Sequence, residues 1–339
     1  MIEQRSEQSC LVVMYHYVRD SSATAFPDIR ALTPDLFTRQ LDWLQERHTI
    51  VSVEDLRRAL DSQQSLPPRA ALLTFDDGFI DHFSTVFPLL RARGLSGVFF
   101  IAHDACGPSP RVLGVHKTHF LLARVGAQAL GRAVLQESRI AADVAGRSGS
   151  VFGNDRWDAQ DEHAVRHLLN YELPLDEAER VLDLLFARHI GDTDAFARSL
   201  YLDEAQIRAM AADGITFGYH TRSHRMLSRL DSTQQRDELA GGVEWIRQLT
   251  SQASVPFCYP WGGVKTYTGE TVRALGDLGY SLAFNTVRRR LRIGHDGRYE
   301  LPRIDTRDLP PYAQGGEDAQ APAMAEEWLA LSERSESKE

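Results

Sequence analysis

"AALLTFDDG", residues Ala70–Gly78, decides how this chain is read. Its first six residues, Ala70–Phe75, are apolar on both alternating faces and too few for a helix, so they predict a strand buried on both sides. The strand then delivers two adjacent carboxylates, Asp76 and Asp77, into a glycine. Adjacent acids at a strand end repel one another, and that cost asks for a chemical reason.

The pattern around this strand supplies a fold. "CLVVMYHYV" (Cys10–Val18) has the β-branched and aromatic content of another buried strand. In "TPDLFTRQLDWLQER", Thr33 is placed to cap a helix that starts at Pro34, with Leu36, Phe37, Leu41 and Leu44 on one face. "TIVSVEDLRRAL" predicts a short strand and a helix, and Ile80–Arg93 a helix stopped by Gly94. "SGVFFIA", "ITFGYH", "VPFCY" and "YSLAFNT" read as further strands, with helices in "QQRDELAGGVEWIRQL" and from Thr268 to Leu278. Strands alternating with helices imply right-handed crossovers and a parallel α/β sheet, either a barrel or an open sheet. In both, chemistry belongs at the carboxyl ends of the strands.

From about Asp104 to Leu200 no strand is legible. "THFLLARVGAQALGRAVLQESRIAADVAG" and "LDEAERVLDLLFARHI" predict helices, and the stretch is too long for a loop. We therefore expect one domain over residues 1–310, interrupted by a helical insertion at about 104–200. Residues 311–339 are expected to form a linker, a short amphipathic helix around Met324–Leu331 and a polar tail.

Composition bounds the function. The chain has 339 residues, 43% hydrophobic and 25% charged, which is a globular composition. A net charge of −9 offers no basic footprint for nucleic acid. Three cysteines without paired spacing argue against a disulfide framework and for a reducing compartment. The polar start "MIEQRSEQSC" has no apolar signal stretch, and no run is long enough for a membrane helix. Together these lead to the expectation of a cytoplasmic protein without an integral membrane segment.

Three strand ends carry candidate chemistry: Asp76–Gly78, "HTRSH" (His220–His224) and "FCYPWGG" (Phe257–Gly263). Four-residue spacing lets His220 and His224 converge on one ion. With one of the two aspartates they make a two-histidine, one-carboxylate set that leaves positions open for water and substrate. The other aspartate is placed to accept a proton. His163 and His167 share the spacing but lack an acidic strand end, and read as solvated histidines on a helix face.

Taken in order, "TFDDG", "HTRSH" and "YPWGG" resemble the first three motifs of the polysaccharide deacetylases, the NodB-homology carbohydrate esterases. The resemblance covers roughly residues 10–104 and 200–305. It implies a distorted (β/α)7-type barrel in which Asp77, His220 and His224 bind a divalent metal and Asp76 is the base. Zn²⁺ is the default ion, with Ni²⁺, Co²⁺ or Mn²⁺ as alternatives. The implied reaction is hydrolysis of an N-acyl group, usually acetyl, from a sugar, with the oxyanion held by the metal and by backbone N–H groups near Trp261. Tyr259, Trp261 and Arg303 are the residues expected on the substrate and oxyanion side.

Two positions depart from the family pattern. Cys258 stands where an arginine commonly pairs with the base, and "ELPRIDTRD" lacks the late histidine that commonly serves as acid. Arg303 is the expected replacement for the first and His16, at the end of the first strand, for the second. In the insertion, His116, Lys117 and His119 open a helix, a plain polar terminus by pattern. By resemblance to deacetylase-like proteins of surface-polysaccharide clusters they would belong to a lid over the substrate. The expected substrate is an intracellular precursor of a surface polysaccharide, a nucleotide- or lipid-linked N-acyl sugar or an oligosaccharide. The alternatives are a deformylase or other amide hydrolase with the same metal site, and an inactive relative that binds glycan or a partner.

Overall fold

The computed structural model describes residues 8–139 and 160–311. The expected helix at Met324–Leu331, the linker and tail around it, and the end of the helix expected through Gly146 lie outside the described residues. So does most of the N-terminal stretch read for a signal.

Among the described residues, nine strands form one sheet: β1 (Ser9–Tyr15), β2 (Thr49–Ile50), β3 (Ala70–Phe75), β4 (Val98–Ile101), β5 (Thr216–Tyr219), β6 (Phe257–Cys258), β7 (Ala283–Phe284), β8 (Leu291–Arg292) and β9 (Ile304–Asp305). Their main order is β7-β6-β5-β4-β3-β1-β8, with β2 beside β3 and β9 beside β1. All pairs are parallel except β1 with β8. Residues 301–305 close the curl. Leu301 bridges Phe284 of β7, and three residues on, Ile304 pairs with Val13 of β1. Strands β1, β3, β4, β5, β6, β7 and β9 thus make a distorted (β/α)7-type barrel.

Side-chain alternation separates two buried layers. Cys10, Val12, Ala70, Leu72, Val98, Phe100, Cys258, Phe284 and Leu301 pack together as one core. The opposite face of the same strands carries Tyr15, Phe75 and Phe99, stacked at 5.1 and 4.5 Å between centroids, with Phe37 of the helix Pro34–Arg47 edge-on to Tyr15 at 5.2 Å. Thr74 and Asp76 continue the row of Ala70 and Leu72, so the strand's own period turns Asp76 inward.

Local signals account for several boundaries. Thr33 Oγ1 accepts a hydrogen bond from the Leu36 N–H (3.3 Å), and Pro34 opens the helix behind it. The helix read as continuous over Ile80–Arg93 opens instead with a π-turn, His82–Val86, before Phe87–Arg93 and a left-handed Gly94 (φ 64°). The helix expected through residues 234–249 is two, Ser232–Leu239 and Gly242–Thr250, parted where Gly241 turns left-handed (φ 75°). A Cβ on Gly242 would strike the Tyr280 hydroxyl and the Tyr219 ring, so the break seats bare backbone against both.

The described chain divides into two compact units. The first holds the residues up to Asp20, Ala31–Ser109 and those from Tyr201 onward, and contains the barrel. The second comprises Ser21–Arg30 and Pro110–Leu200. Its described elements are helical, among them Gly114–Val125, Ala127–Glu137, Gln160–His167, Leu175–His189 and Thr193–Leu200. Phe26, Phe120, Phe186 and Phe196 pack edge-to-face inside it, with centroids 4.8–5.2 Å apart along that chain of contacts. Here His116 is fully buried and Lys117 pairs with Asp183, so neither is a solvated helix end. His167 is not solvated either: it is half-buried and pairs with Glu172 at 2.9 Å.

Candidate functional site

The Asp76–Gly78 turn is built by backbone that few side chains tolerate. Asp77 (φ 76°) and Gly78 (φ 68°) are both left-handed. A Cβ at Gly78 would meet Cys106 Sγ at 2.5 Å and Ile101 Cγ2 at 2.9 Å, so only glycine fits. The Asp76 N–H donates to the Tyr15 carbonyl (2.9 Å), and the Leu202 N–H donates to the Gly78 carbonyl (2.8 Å). The turn is pinned from both sides, and the two acids point to different partners.

Asp77 faces the histidines. Its Oδ1 lies 3.5 Å from His220 Nε2 and 3.4 Å from His224 Nε2, and all three side chains are buried. These separations exceed a good hydrogen bond. They match ligand atoms sharing one ion: bonds of about 2.0–2.2 Å at a tetrahedral angle leave neighbours about 3.3–3.6 Å apart. The Nδ1 of His220 contacts the Cys258 carbonyl at 2.7 Å. A proton on Nδ1 satisfies that carbonyl and leaves the Nε2 lone pair directed at Asp77, the outer support expected of a ligating histidine. Burial works against a charged His220, yet Cys258, Asp77 and Asp76 outweigh it and hold its pKa well above the ordinary value. On donor type and spacing, the three residues fit a divalent metal.

Asp76 faces Arg303. The guanidinium grips the carboxylate in a fork, Nη1 to Oδ1 and Nη2 to Oδ2, both 2.8 Å. Its remaining donors go to the Asn285 carbonyl (3.0 Å), Thr74 Oγ1 (3.0 Å) and Cys258 Sγ (3.0 Å). All five N–H groups are spent, and the side chain is completely buried. Arg303 has nothing left for a substrate; it orients Asp76. Burial raises the Asp76 pKa, but Arg303 more than compensates and keeps it below the ordinary carboxylate range. A thiol at 258 is small enough to leave room for this arginine and accepts one of its bonds.

His16 follows β1 with a side chain 41% exposed, and its Nε2 stands 3.8 Å from Asp76 Oδ2. Its carbonyl contacts His82 Nε2 at 3.0 Å. Tyr259 is differently employed than the substrate-side reading expects. Its hydroxyl donates to the Tyr299 carbonyl (2.8 Å) and its N–H to the Phe284 carbonyl (3.1 Å), so both donors are consumed inside the fold. Trp261 is partly exposed and left-handed (φ 66°), with its ring centroid 6.1 Å from that of His224. Thr286 pins this loop, its N–H donating to the Gly262 carbonyl and its hydroxyl to that of Trp261.

Sequence reasoning missed the supporting residues. Thr74 and Asn285 hold Arg303, and Glu238 braces the loop between the two histidines. Thr74 had a signal, a hydroxyl in an apolar strand two residues before Asp76. Asn285 contributes a main-chain carbonyl and Glu238 a carboxylate in the last turn of the helix Ser232–Leu239, and neither type is marked in a sequence.

Residues 173–283 match the polysaccharide deacetylase family. An 84-residue stretch is 33% identical to the poly-β-1,6-N-acetyl-D-glucosamine N-deacetylase of Escherichia coli; it covers 24% of this chain and 12% of that enzyme. Among solved structures, the Streptococcus pyogenes deacetylase PplD, determined in complex with acetate, superposes with a TM-score of 0.54 at 17% identity, over 88% of this chain and 93% of that one. IcaB from Ammonifex degensii superposes with a TM-score of 0.53 at 18% identity, over 94% and 97%. The fold is that of these proteins.

Proposed function

We propose that this chain removes the acetyl group from an N-acetylated sugar by metal-assisted hydrolysis; its residues 173–283 match the polysaccharide deacetylase family. The observation that supports this best is the convergence of Asp77, His220 and His224 beside an arginine-held Asp76 at the strand ends of the barrel. Asp77, His220 and His224 hold the ion, with Zn²⁺ the expected occupant of such a donor set. When bound, a divalent ion supplies Lewis-acid polarisation of the acyl oxygen and acidifies water for attack.

The chain's own residues do the rest. Asp76 is ionised at neutral pH because Arg303 holds it so, and its lone pairs not engaged by the fork accept the proton of the attacking water. The Trp261 N–H, at the head of a pinned loop, is the backbone donor closest in character to an oxyanion contact. His16 delivers a proton to the sugar nitrogen as the C–N bond breaks, leaving acetate and a free amine. His16 is half-exposed, so solvent reaches its ring. The inactive-relative alternative drew on the missing arginine at 258 and the missing late histidine, and the Arg303 fork counts against the first of these.

The E. coli relative is named for poly-β-1,6-N-acetyl-D-glucosamine, which makes an oligomer of that sugar the first substrate to test. The expected result is acetate release that stops on chelation and in His224→Ala. Formate release from an N-formyl sugar with no acetate release would favour the deformylase alternative.

A further inference from the structure

The loop between the two candidate metal-binding histidines is strained. Thr221 (φ 63°) and His224 (φ 62°) are both left-handed although neither is glycine. Side chains other than glycine disfavour this conformation, and it persists only where the surroundings hold it. Part of the restraint is local, the Thr221 hydroxyl accepting from the His224 N–H at 2.9 Å. The N–H groups of His103 and Asp104 also donate to the Thr221 and Arg222 carbonyls (3.2 and 2.8 Å), and further restraint comes from the helix Ser232–Leu239. Glu238 Oε2 accepts from the Ser223 N–H (2.8 Å), Glu238 Oε1 accepts from the Ser223 hydroxyl, and the Glu238 carbonyl accepts from the Arg222 N–H (3.0 Å). Glu238 is buried, so its carboxylate sits there for these bonds and not for solvent.

We propose that Glu238 is a positioning residue for the metal site: its carboxylate locks Ser223 and thereby holds the His224 imidazole at Asp77. The inference rests on the metal reading of Asp77, His220 and His224. The same helix is itself anchored, because Gln235 donates to the Leu230 carbonyl (2.9 Å) and accepts from the Thr271 hydroxyl (2.5 Å). The clamp therefore has a fixed base. Without Glu238 the strained loop relaxes, and the cost of restoring it is drawn from metal binding. That effect is on affinity for the ion, which a general packing defect would not select.

The test is zinc affinity by competition with a chromophoric chelator, on wild type, Glu238→Ala, Ser223→Ala and His224→Ala, with thermal unfolding of each metal-free protein. Glu238→Ala should bind zinc about 10–100-fold more weakly, the range seen when supports of metal ligands are removed. Ser223→Ala, which keeps the N–H bond and loses only the hydroxyl, should weaken binding several-fold and keeps the question answerable if Glu238→Ala does not fold. Glu238→Ala or Ser223→Ala with wild-type zinc affinity, whatever its melting temperature, overturns the clamp. Wild type without zinc affinity, or with affinity untouched by His224→Ala, overturns instead the metal reading on which it stands.

Discussion

Arg303 spends every N–H it has on holding Asp76 and its surroundings, and this defines what each residue change should do. Replacing Asp76 with Asn keeps the shape and removes the base, so turnover should fall by about 10²–10⁴ with zinc still bound. Zinc loss in that variant would mean that the roles of Asp76 and Asp77 are exchanged. Arg303→Met removes the charge that offsets burial, so the Asp76 pKa rises and the acid limb of the kcat/KM profile moves to higher pH. Arg303→Lys should not restore the rate, because one ammonium cannot reproduce a fork with three further bonds. An unmoved acid limb in both variants would disconnect Arg303 from catalysis. His16→Ala should lower turnover by about 10²–10⁴ with zinc still bound, because the sugar nitrogen loses its proton donor, and wild-type turnover in this variant would remove His16 from the reaction.

At the scale of elements, the π-turn His82–Val86 is where the site and the fold meet. His82 is enclosed by Phe75, Phe79 and Phe99, and contacts the His16 carbonyl. Burial pushes its pKa down to about 4, only partly opposed by that contact. An unfolded chain takes up the proton near pH 6.5, whereas the folded one does so only near 4. Stability from this group is therefore complete above about pH 6.5 and declines as pH falls toward 4, by roughly 3 kcal/mol. Urea unfolding of His82→Leu across this range should show a slope shallower by about one proton than wild type; equal slopes would place the proton uptake elsewhere. Elements were also where sequence reading was strongest and weakest. The parallel strands were legible because both-face burial forces near-continuous apolar runs such as Ala70–Phe75. The helix break at Gly241 was not, because its cause is the approach of Gly242 to Tyr219 and Tyr280, which are far away in sequence. The convergence of His220 and His224 with one of the two aspartates could be anticipated from motif order on strand ends, whereas the choice of Asp77 came from the family resemblance. Glu238 could not, since nothing local distinguishes a bracing carboxylate from a solvated one.

For the whole molecule, the account makes folding and metal occupancy one equilibrium. An ion bound only by the folded chain stabilises it by about 2.7 kcal/mol when free metal is a hundred times its dissociation constant. Zinc should therefore raise the melting temperature of the metal-free protein by a few degrees, and His220→Ala should not respond. The zinc-dependent transition should be the one that loses the barrel's tertiary signal. Among the described residues no helix is long and apolar enough to cross a membrane. Acetate release from an N-acetylglucosamine oligomer, measured as zinc is titrated into metal-free wild-type protein, tests the central claim most directly. The account predicts negligible release without metal and a linear rise that breaks at one zinc per chain. Full release by the metal-free protein, or no release at full zinc occupancy on any N-acyl sugar, would contradict it.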